Sequence, residues 1–594
     1  MKEFFRSFFA SLLAIVVSGV LFVVFIVFLV VGAIRSVTDN EKEPVKGDVL
    51  LIDLTKKIHE QGETDQFASF SDGPAYKAGL YDITYALQEA GTDNSIKGVY
   101  LRLGPSANGW AALQELRNAL KDFKRSGKFV YGYGENITQG AYFVASVCDS
   151  VFLNPSGSID LKGMSTSLAF FKGTLDKLEL QPEIYYAGKF KSATEPFRAD
   201  RMSEPNKLQI RTFQDGMWDQ FLLAAAEHMR TGKDTIHQLA VAGAIQFPQD
   251  AEKYGMVDGL RYRDQVERLI RKETGKSEKD DIEFIPINDY SGQVRETGTH
   301  GTKPVIGILC AEGDIVDGEQ NNTWEIASVT MCNEIRKLRL NDNVKAVVLR
   351  VNSPGGSALA SEVILRELSL LKAKKPLIVS MGNYAASGGY YIATAADSIF
   401  ALPNTITGSI GVFGMLFNID KMMNNKLGVT FDGVKNAPYA DFPTATRPLT
   451  AEEGQRMQRT IDTIYAQFKG HVAAGRKLSG EMVDSIAQGR VWTGTDALRL
   501  GLVDRLGGLD MALESAAALA KLGNYKVVTF PEPQDKLSSL MKRLGSNTET
   551  KTAIREALKE EAAPVYEWYS RLKSLQRMNG RAMMALPYTI DIGE

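Results

Sequence analysis

The stretches NSIKGVYLRLGPSANGW (residues 94–110) and DNVKAVVLRVNSPGGSA (residues 342–358) repeat one another: Lys97, Val99, Leu101 and Arg102 recur 248 positions later as Lys345, Val347, Leu349 and Arg350. The offset continues without a gap. It carries Gly134, Gly140, Tyr142, Ala145, Asp149, Phe152 and Pro155 onto Gly382, Gly388, Tyr390, Ala393, Asp397, Phe400 and Pro403. Further on, YGMVDGL (from Tyr254) matches LGLVDRLG (from Leu500) at an offset of 246. Self-similarity over so long an interval implies two homologous domains in tandem.

Each copy alternates two periodicities. In the second, KAVVLRVN reads as a buried strand, SALASEVILRELSLLK has helical spacing, KPLIVSMG is again a strand, and GGYYIATAAD is a helix before the strand SIFALP. The first copy opens on the strand DVLLIDL and the second on KPVIGILC. Strand and helix in alternation predict an α/β fold with parallel pairing and right-handed crossovers.

A shared fold accounts for what the copies have in common, so chemistry is sought where they differ. AASGGYY in the second copy faces ITQGAYF in the first, so Ser387 stands where the sister has Gln139. NSPGGSA (352–358) faces GPSANGW (104–110), so the paired glycines belong to the second copy alone. A serine at a strand-to-helix turn beside glycine loops with free backbone N–H groups fits a nucleophile with an oxyanion hole. It equally fits an N-cap beside two tight turns. A nucleophilic serine needs a base, and the histidines at 59, 228, 237, 300 and 471 are scattered, although a Ser-His-Asp arrangement is recognised by geometry and not by spacing. A buried lysine is the other option. YYAGKFKSATEPF (185–197) offers Lys189 and Lys191; the second copy keeps Lys435 against Lys189 but has Ala437 against Lys191. For either lysine the bland reading is a surface residue with its charge in water.

The 594 residues are 44% hydrophobic and 24% charged, ordinary globular material for two or more domains, and the formal charge of -2 gives no reason to expect a nucleic-acid partner. Phe8 to Ile34 carries no charge and is long enough to cross a bilayer, which needs about 20 apolar residues. Lys2 and Arg6 before it, against Asp39, Glu41 and Glu43 after it, predict a cytoplasmic N-terminus with the bulk of the chain outside. A cleaved signal peptide is the alternative, but the run is longer than a usual h-region. Cys148, Cys310 and Cys332 are too few for a disulfide framework and read as buried thiols. No Cys/His spacing points to a metal.

The anchor, the tandem copies and the motifs NSPGGSALASE, AASGGYYIATAAD, TGSIGVFG, GKFKSATEPF and GRVWTGTDALRLGLVD together resemble the signal peptide peptidase A (protease IV) family in its long, duplicated form. The resemblance implies two tandem crotonase/Clp protease-like domains, a serine-lysine dyad and no cofactor. It assigns Ser387 as nucleophile and Lys191, not Lys189, as base, each from a different copy. It also suggests Ser409 as the serine that orients the lysine, and the amides of Gly356 and Gly388 as oxyanion donors, with Gly355 competing with Gly356. The expected substrates are apolar peptides, signal-peptide remnants above all, cut by a membrane-tethered homotetramer at the bacterial inner membrane, held in lipid by residues 8–34. The expected divisions are 1–7 cytoplasmic, 8–34 anchor, 35–47 linker, 48–295 first copy, 296–525 second copy, and 526–594 a helical tail. Two other functions are open on the residues alone: an acyl-CoA enzyme of crotonase fold, and a membrane scaffold that binds peptides without cutting them.

Overall fold

Val49–Asp53, the VLLID of the predicted opening strand, lies against Gly98–Leu103 in parallel register, and from this pair the first copy's sheet extends on both sides. In the computed structural model the described residues are 47–64, 76–298, 303–320, 324–531 and 581–586, with Ser18; the expected anchor, Ser18 apart, falls outside them. Among the described residues no helix is long and apolar enough to cross a membrane. Strands of the first copy are β1 (Val49–Asp53), β2 (Glu63–Thr64), β3 (Tyr76–Lys77), β4 (Gly98–Leu103), β5 (Phe129–Ile137), β6 (Ser150–Ile159), β7 (Gln181–Ala187), β8 (Gly259–Leu260) and β9 (Phe284–Pro286). Those of the second are β10 (Val305–Glu312), β11 (Asp314–Val316), β12 (Glu325–Ala327), β13 (Val344–Ser353), β14 (Gly355–Ser357), β15 (Leu377–Ala386), β16 (Ser398–Ala401), β17 (Ile406–Gly408), β18 (Val412–Asn418), β19 (Val491–Thr493), β20 (Arg505–Leu506) and β21 (Lys526–Phe530). A last strand, β22, is Ala582–Ala585.

The repeat becomes visible as two equivalent parallel sheets. The first has the order β8-β6-β5-β4-β1-β9; in the second, β20, β16, β15, β13, β10 and β21 follow one another in the same way, with β17 and β19 added beside β15. The β-branched, apolar runs predicted as strands form these ladders, and the helices Ala358–Lys372 and Leu509–Leu519 bury their Leu, Ile and Ala faces on the second sheet. Parallel strands buried on both faces read as continuous apolar runs, which is why KAVVLRVN was legible.

The expected boundary after residue 525 and the expected tail each meet a strand where the tail is described, and the rest of the tail expected as helical, 532–580 and 587–594, lies outside the described residues. Lys526–Phe530 pairs in parallel with β10, the position that β9 takes beside β1, so the second copy runs on at least to Phe530. Its Val-Val-Thr-Phe run suits a strand and closes the sheet edge. Ala582–Ala585 is likewise a strand, set between β14 and β18.

Two features join the copies. Strand β7 of the first copy leaves its own sheet and pairs antiparallel with β18 over seven residues, from Ala187 opposite Val412 to Gln181 opposite Asn418. A third sheet results, of order β12-β11-β14-β22-β18-β7. The other feature is Arg350, wholly buried, whose guanidinium donates to Glu60 at 2.7 Å and to both oxygens of Glu115 at 2.8 and 2.9 Å. Both carboxylates belong to the first copy. Arg102, the sister residue, instead reaches Asp53 at 3.1 Å with its side chain partly in solvent.

Candidate active site

Strand β15 ends at Ala386, and the helix Gly388–Ala393 begins two residues later, so Ser387 occupies a one-residue corner. Its amide donates to the Gly408 carbonyl at 2.8 Å, and its backbone is held at φ 54, ψ -113. That conformation costs a non-glycine residue on the order of 1–3 kcal/mol and persists only where the surroundings enforce it. The small residues after it are required by packing: a Cβ on Gly389 would lie 2.7 Å from the Ser353 carbonyl. Ser387 sits at the N-cap position, yet its side chain caps nothing. The hydroxyl points at a lysine.

That lysine is Lys191. Strand β7 delivers it: four residues past Ala187 the chain has turned at Gly188 (φ 103), and Lys191 is 1% exposed. Its Nζ lies 2.9 Å from Ser387 Oγ, 3.0 Å from Ser409 Oγ, 3.4 Å from the Ser409 carbonyl and 2.6 Å from the Ala585 carbonyl. Ser387 and Ser409 are both fully buried. Burial without any neighbouring counter-charge pulls the Lys191 amine down from 10.5 to about 7. The shift corresponds to roughly 5 kcal/mol against the charged form, at 1.36 kcal/mol per unit. The amine is therefore about half neutral at neutral pH, and in that form it is able to take a proton from a hydroxyl within hydrogen-bond reach.

Lys189 is elsewhere, its Nζ 5.4 Å from the centre of the Phe190 ring. The described histidines are engaged away from the serine: His59 with Glu312, His228 with Asp258, His237 with Trp218, and His471 with Glu362. Ser409 is placed by its amide donating to the Arg490 carbonyl at 2.7 Å, at φ 50. Gly489 presses on the lysine from behind; at φ 74, a Cβ there would come within 2.8 Å of the Lys191 N, Cα and Cβ.

The two glycines expected as oxyanion donors part company. Gly388 follows the serine and opens the helix, with the Gly355 backbone so near that a Cβ on Gly355 would lie 2.7 Å from the Gly388 nitrogen. Gly356 is paired in register with Met584 of β22. In the sister copy the same corner is filled by Gln139, whose side chain accepts from Lys162 N at 2.8 Å and Gly163 N at 3.0 Å and donates to the Gly163 carbonyl at 2.9 Å. Gln139 fastens a loop where Ser387 meets Lys191.

The sequence reading missed the last member of the site, the Ala585 carbonyl against the lysine. Its one signal is the apolar hexad AMMALP (582–587) near the end of a charged tail. The three cysteines are buried and free, and burial raises the thiol of each.

The profile of peptidase family S49 matches this chain twice, at residues 122–276 and 369–523, and that of Clp protease matches residues 298–407. The chain is 36% identical over 541 residues to Protease 4 of Salmonella typhi, covering 88% of this chain and 86% of that protein. It is 31% identical over 511 residues to the chloroplastic serine protease SPPA of Arabidopsis thaliana, covering 84% and 74%. Against a putative signal peptide peptidase SppA of Enterococcus faecium it is 33% identical over 251 residues, 42% of this chain and 72% of that one.

Proposed function

This chain belongs to peptidase family S49 and is a serine protease, and on that premise we propose that it works through a dyad of Ser387 and Lys191, one residue from each copy. The observation that carries the reading is the 2.9 Å approach of Lys191 Nζ to Ser387 Oγ in a site closed to water. Neutral Lys191 takes the hydroxyl proton as Ser387 Oγ attacks the peptide carbonyl; the resulting ammonium gives that proton to the departing amine, and water resolves the acyl-enzyme by the reverse proton path. Ser409 acts as a positioning residue, accepting from Nζ at 3.0 Å while the amine meets Ser387 Oγ at 2.9 Å. The Gly388 amide stabilises the oxyanion. Gly355 and Gly356 are both paired in register with β22, and the Gly355 amide donates to Ser353 Oγ at 3.1 Å, so the two fit the holding of substrate backbone and the oxyanion role rests on the Gly388 amide.

The substrates are apolar peptides, cleaved signal peptides among them, a reading supported by the relative named a signal peptide peptidase and by the apolar walls beside Ser387. Phe8–Ile34 anchors the chain in the bacterial inner membrane with the two copies outside the cytoplasm, and the chain assembles as a homotetramer; the apolar run and the family resemblance support this. Hydrolysis of a fluorogenic apolar peptide tests the dyad. Ser387→Ala and Lys191→Ala each abolish turnover while Lys189→Ala retains it, and a serine-reactive fluorophosphonate labels Ser387. Turnover surviving in Ser387→Ala would refute the assignment.

A further inference from the structure

Lys191 is the apex of an inverse γ-turn. Its backbone lies at φ -73, ψ 78, and the Ser192 amide closes the turn on the Phe190 carbonyl at 2.8 Å. No sheet ladder holds this point, because β7 has ended at Ala187 and a short 3-10 turn, Ser192–Thr194, begins only after the lysine. A base must stay within hydrogen-bond reach of the hydroxyl it deprotonates, and a displacement of about 1 Å can cost on the order of a hundredfold in rate. The shoulders of the turn therefore matter to Nζ as much as the contacts at its tip.

Gln209 grips both shoulders. It lies on the helix Glu204–Met229, six residues past the N-cap Ser203, and is wholly buried. Its carboxamide nitrogen donates to Ser192 Oγ at 2.9 Å and to Asn206 Oδ1 at 3.0 Å, with the Phe190 carbonyl at 3.3 Å, so one amide group meets the residue before the lysine and the residue after it. Its carbonyl oxygen accepts from the Val491 amide at 3.4 Å. Val491 belongs to β19 and stands opposite Gly408, whose carbonyl receives the Ser387 amide; the next residue back, Arg490, supplies the carbonyl that receives the Ser409 amide. A carboxamide donates and accepts at once without carrying charge. Gln209 thus ties the turn that bears the lysine to the strand against which both serines are set.

The sister copy lacks the lysine and the clasp together. Ala437 faces Lys191, and the residue six past the N-cap Thr450 of the matching helix, Ala451–Arg476, is Arg456. Arg456 is exposed, with its guanidinium 3.7 Å from the centre of the Tyr439 ring. Both helices run for 26 residues from a hydroxyl cap, so the fold itself requires neither an amide nor burial at this position. The comparison that singles out Ser387 against Gln139 singles out Gln209 against Arg456.

We propose that Gln209 is a positioning residue for the base, clasping the γ-turn so that Lys191 Nζ is held against Ser387 Oγ. The inference rests on the Ser387–Lys191 reading.

Gln209→Met in the full chain keeps an unbranched side chain of similar length and deletes the donor and the acceptor. For the fluorogenic apolar peptide kcat falls about ten- to thirtyfold while KM stays within about twofold, because the turn loosens and a wholly buried side chain meets no substrate. A purely structural loss would multiply with other lesions; this one does not. Since Gln209 and Ser409 both act by placing the same Nζ, the double variant with Ser409→Ala is no more than about threefold slower than the slower single variant. Thermal melting shows whether Gln209→Met is folded. Where it is not, Ser192→Ala, which deletes one hydroxyl of the clasp, replaces it, with a fall in kcat of about three- to tenfold. Wild-type kcat in the folded variant, or losses that multiply in full with Ser409→Ala, overturns the proposal. Lys191→Ala keeps that outcome apart from failure of the dyad: turnover retained without the lysine refutes the dyad itself, whereas turnover abolished there but unchanged in Gln209→Met refutes only the positioning role.

Discussion

Titrating the enzyme from pH 5.5 to 9.5 asks whether Lys191 is the base. Its amine, buried with hydroxyl and carbonyl oxygens and no carboxylate around it, is drawn down to about 7 by burial. At pH 7 about half of the molecules carry a neutral amine; an ordinary lysine near 10.4 would have fewer than about one in a thousand. Activity that needs the neutral amine therefore rises about tenfold per pH unit below 7 and levels off above 8. The assay is kcat/KM for a fluorogenic apolar peptide in buffers of constant ionic strength. A rise that continued with unit slope through pH 9.5 would refute the reasoning, since it would mean that the site does not depress the amine. Stability carries the same signature. Below pH 7 the folded and unfolded chains both hold the proton, but between 7 and 10.5 only the unfolded chain does, so folding gains about 1.4 kcal/mol per pH unit across that window. Lys191→Met removes this increment, which denaturant unfolding of both proteins at pH 7, 8 and 9 measures.

Ser409→Ala deletes the hydroxyl at 3.0 Å from Nζ and leaves the weaker carbonyl contact at 3.4 Å; kcat falls about ten- to a hundredfold with KM little changed, and the apparent pKa of the pH profile moves. Gly489→Ala forces a methyl group against the Lys191 backbone at a positive φ, so activity drops at least a hundredfold with a loss of about 1–3 kcal/mol, read by peptide hydrolysis and thermal melting. Arg350→Met strips the cation from between Glu60 and Glu115 and costs about 3–5 kcal/mol. Burial pushes Glu60 up to about 7, so the variant recovers part of this by taking up a proton, and its melting temperature falls further below wild type at pH 8.5 than at pH 5.5.

The sequence made the two sheets legible because their strands are continuous apolar runs and each occurs twice, so one copy's pattern corroborates the other's. It also singled out Ser387, since the sister corner is built with Gln139 and the turn itself does not demand a hydroxyl, while the choice between cap and nucleophile came from the family resemblance. Lys191 was harder. A single residue, Phe190, separates it from Lys189, and which one turns inward depends on β7 crossing to pair with β18 and on Gly489 behind it, contacts between positions some 230 to 300 residues apart that no local pattern encodes. The tail's strand at 582–585 was missed for a related reason. AMMA has no strand signature of its own, and it is extended because β14 and β18 offer it two unpaired edges. Arg102 and Arg350 make the point within one repeated position: one meets Asp53 of its own copy in partial solvent, the other is sealed between two glutamates of the opposite copy. The duplicated positions keep the fold, and their chemistry is set by what the other copy brings to them. The proposed dyad, with its serine from one copy and its lysine from the other, is the same exchange in catalytic form.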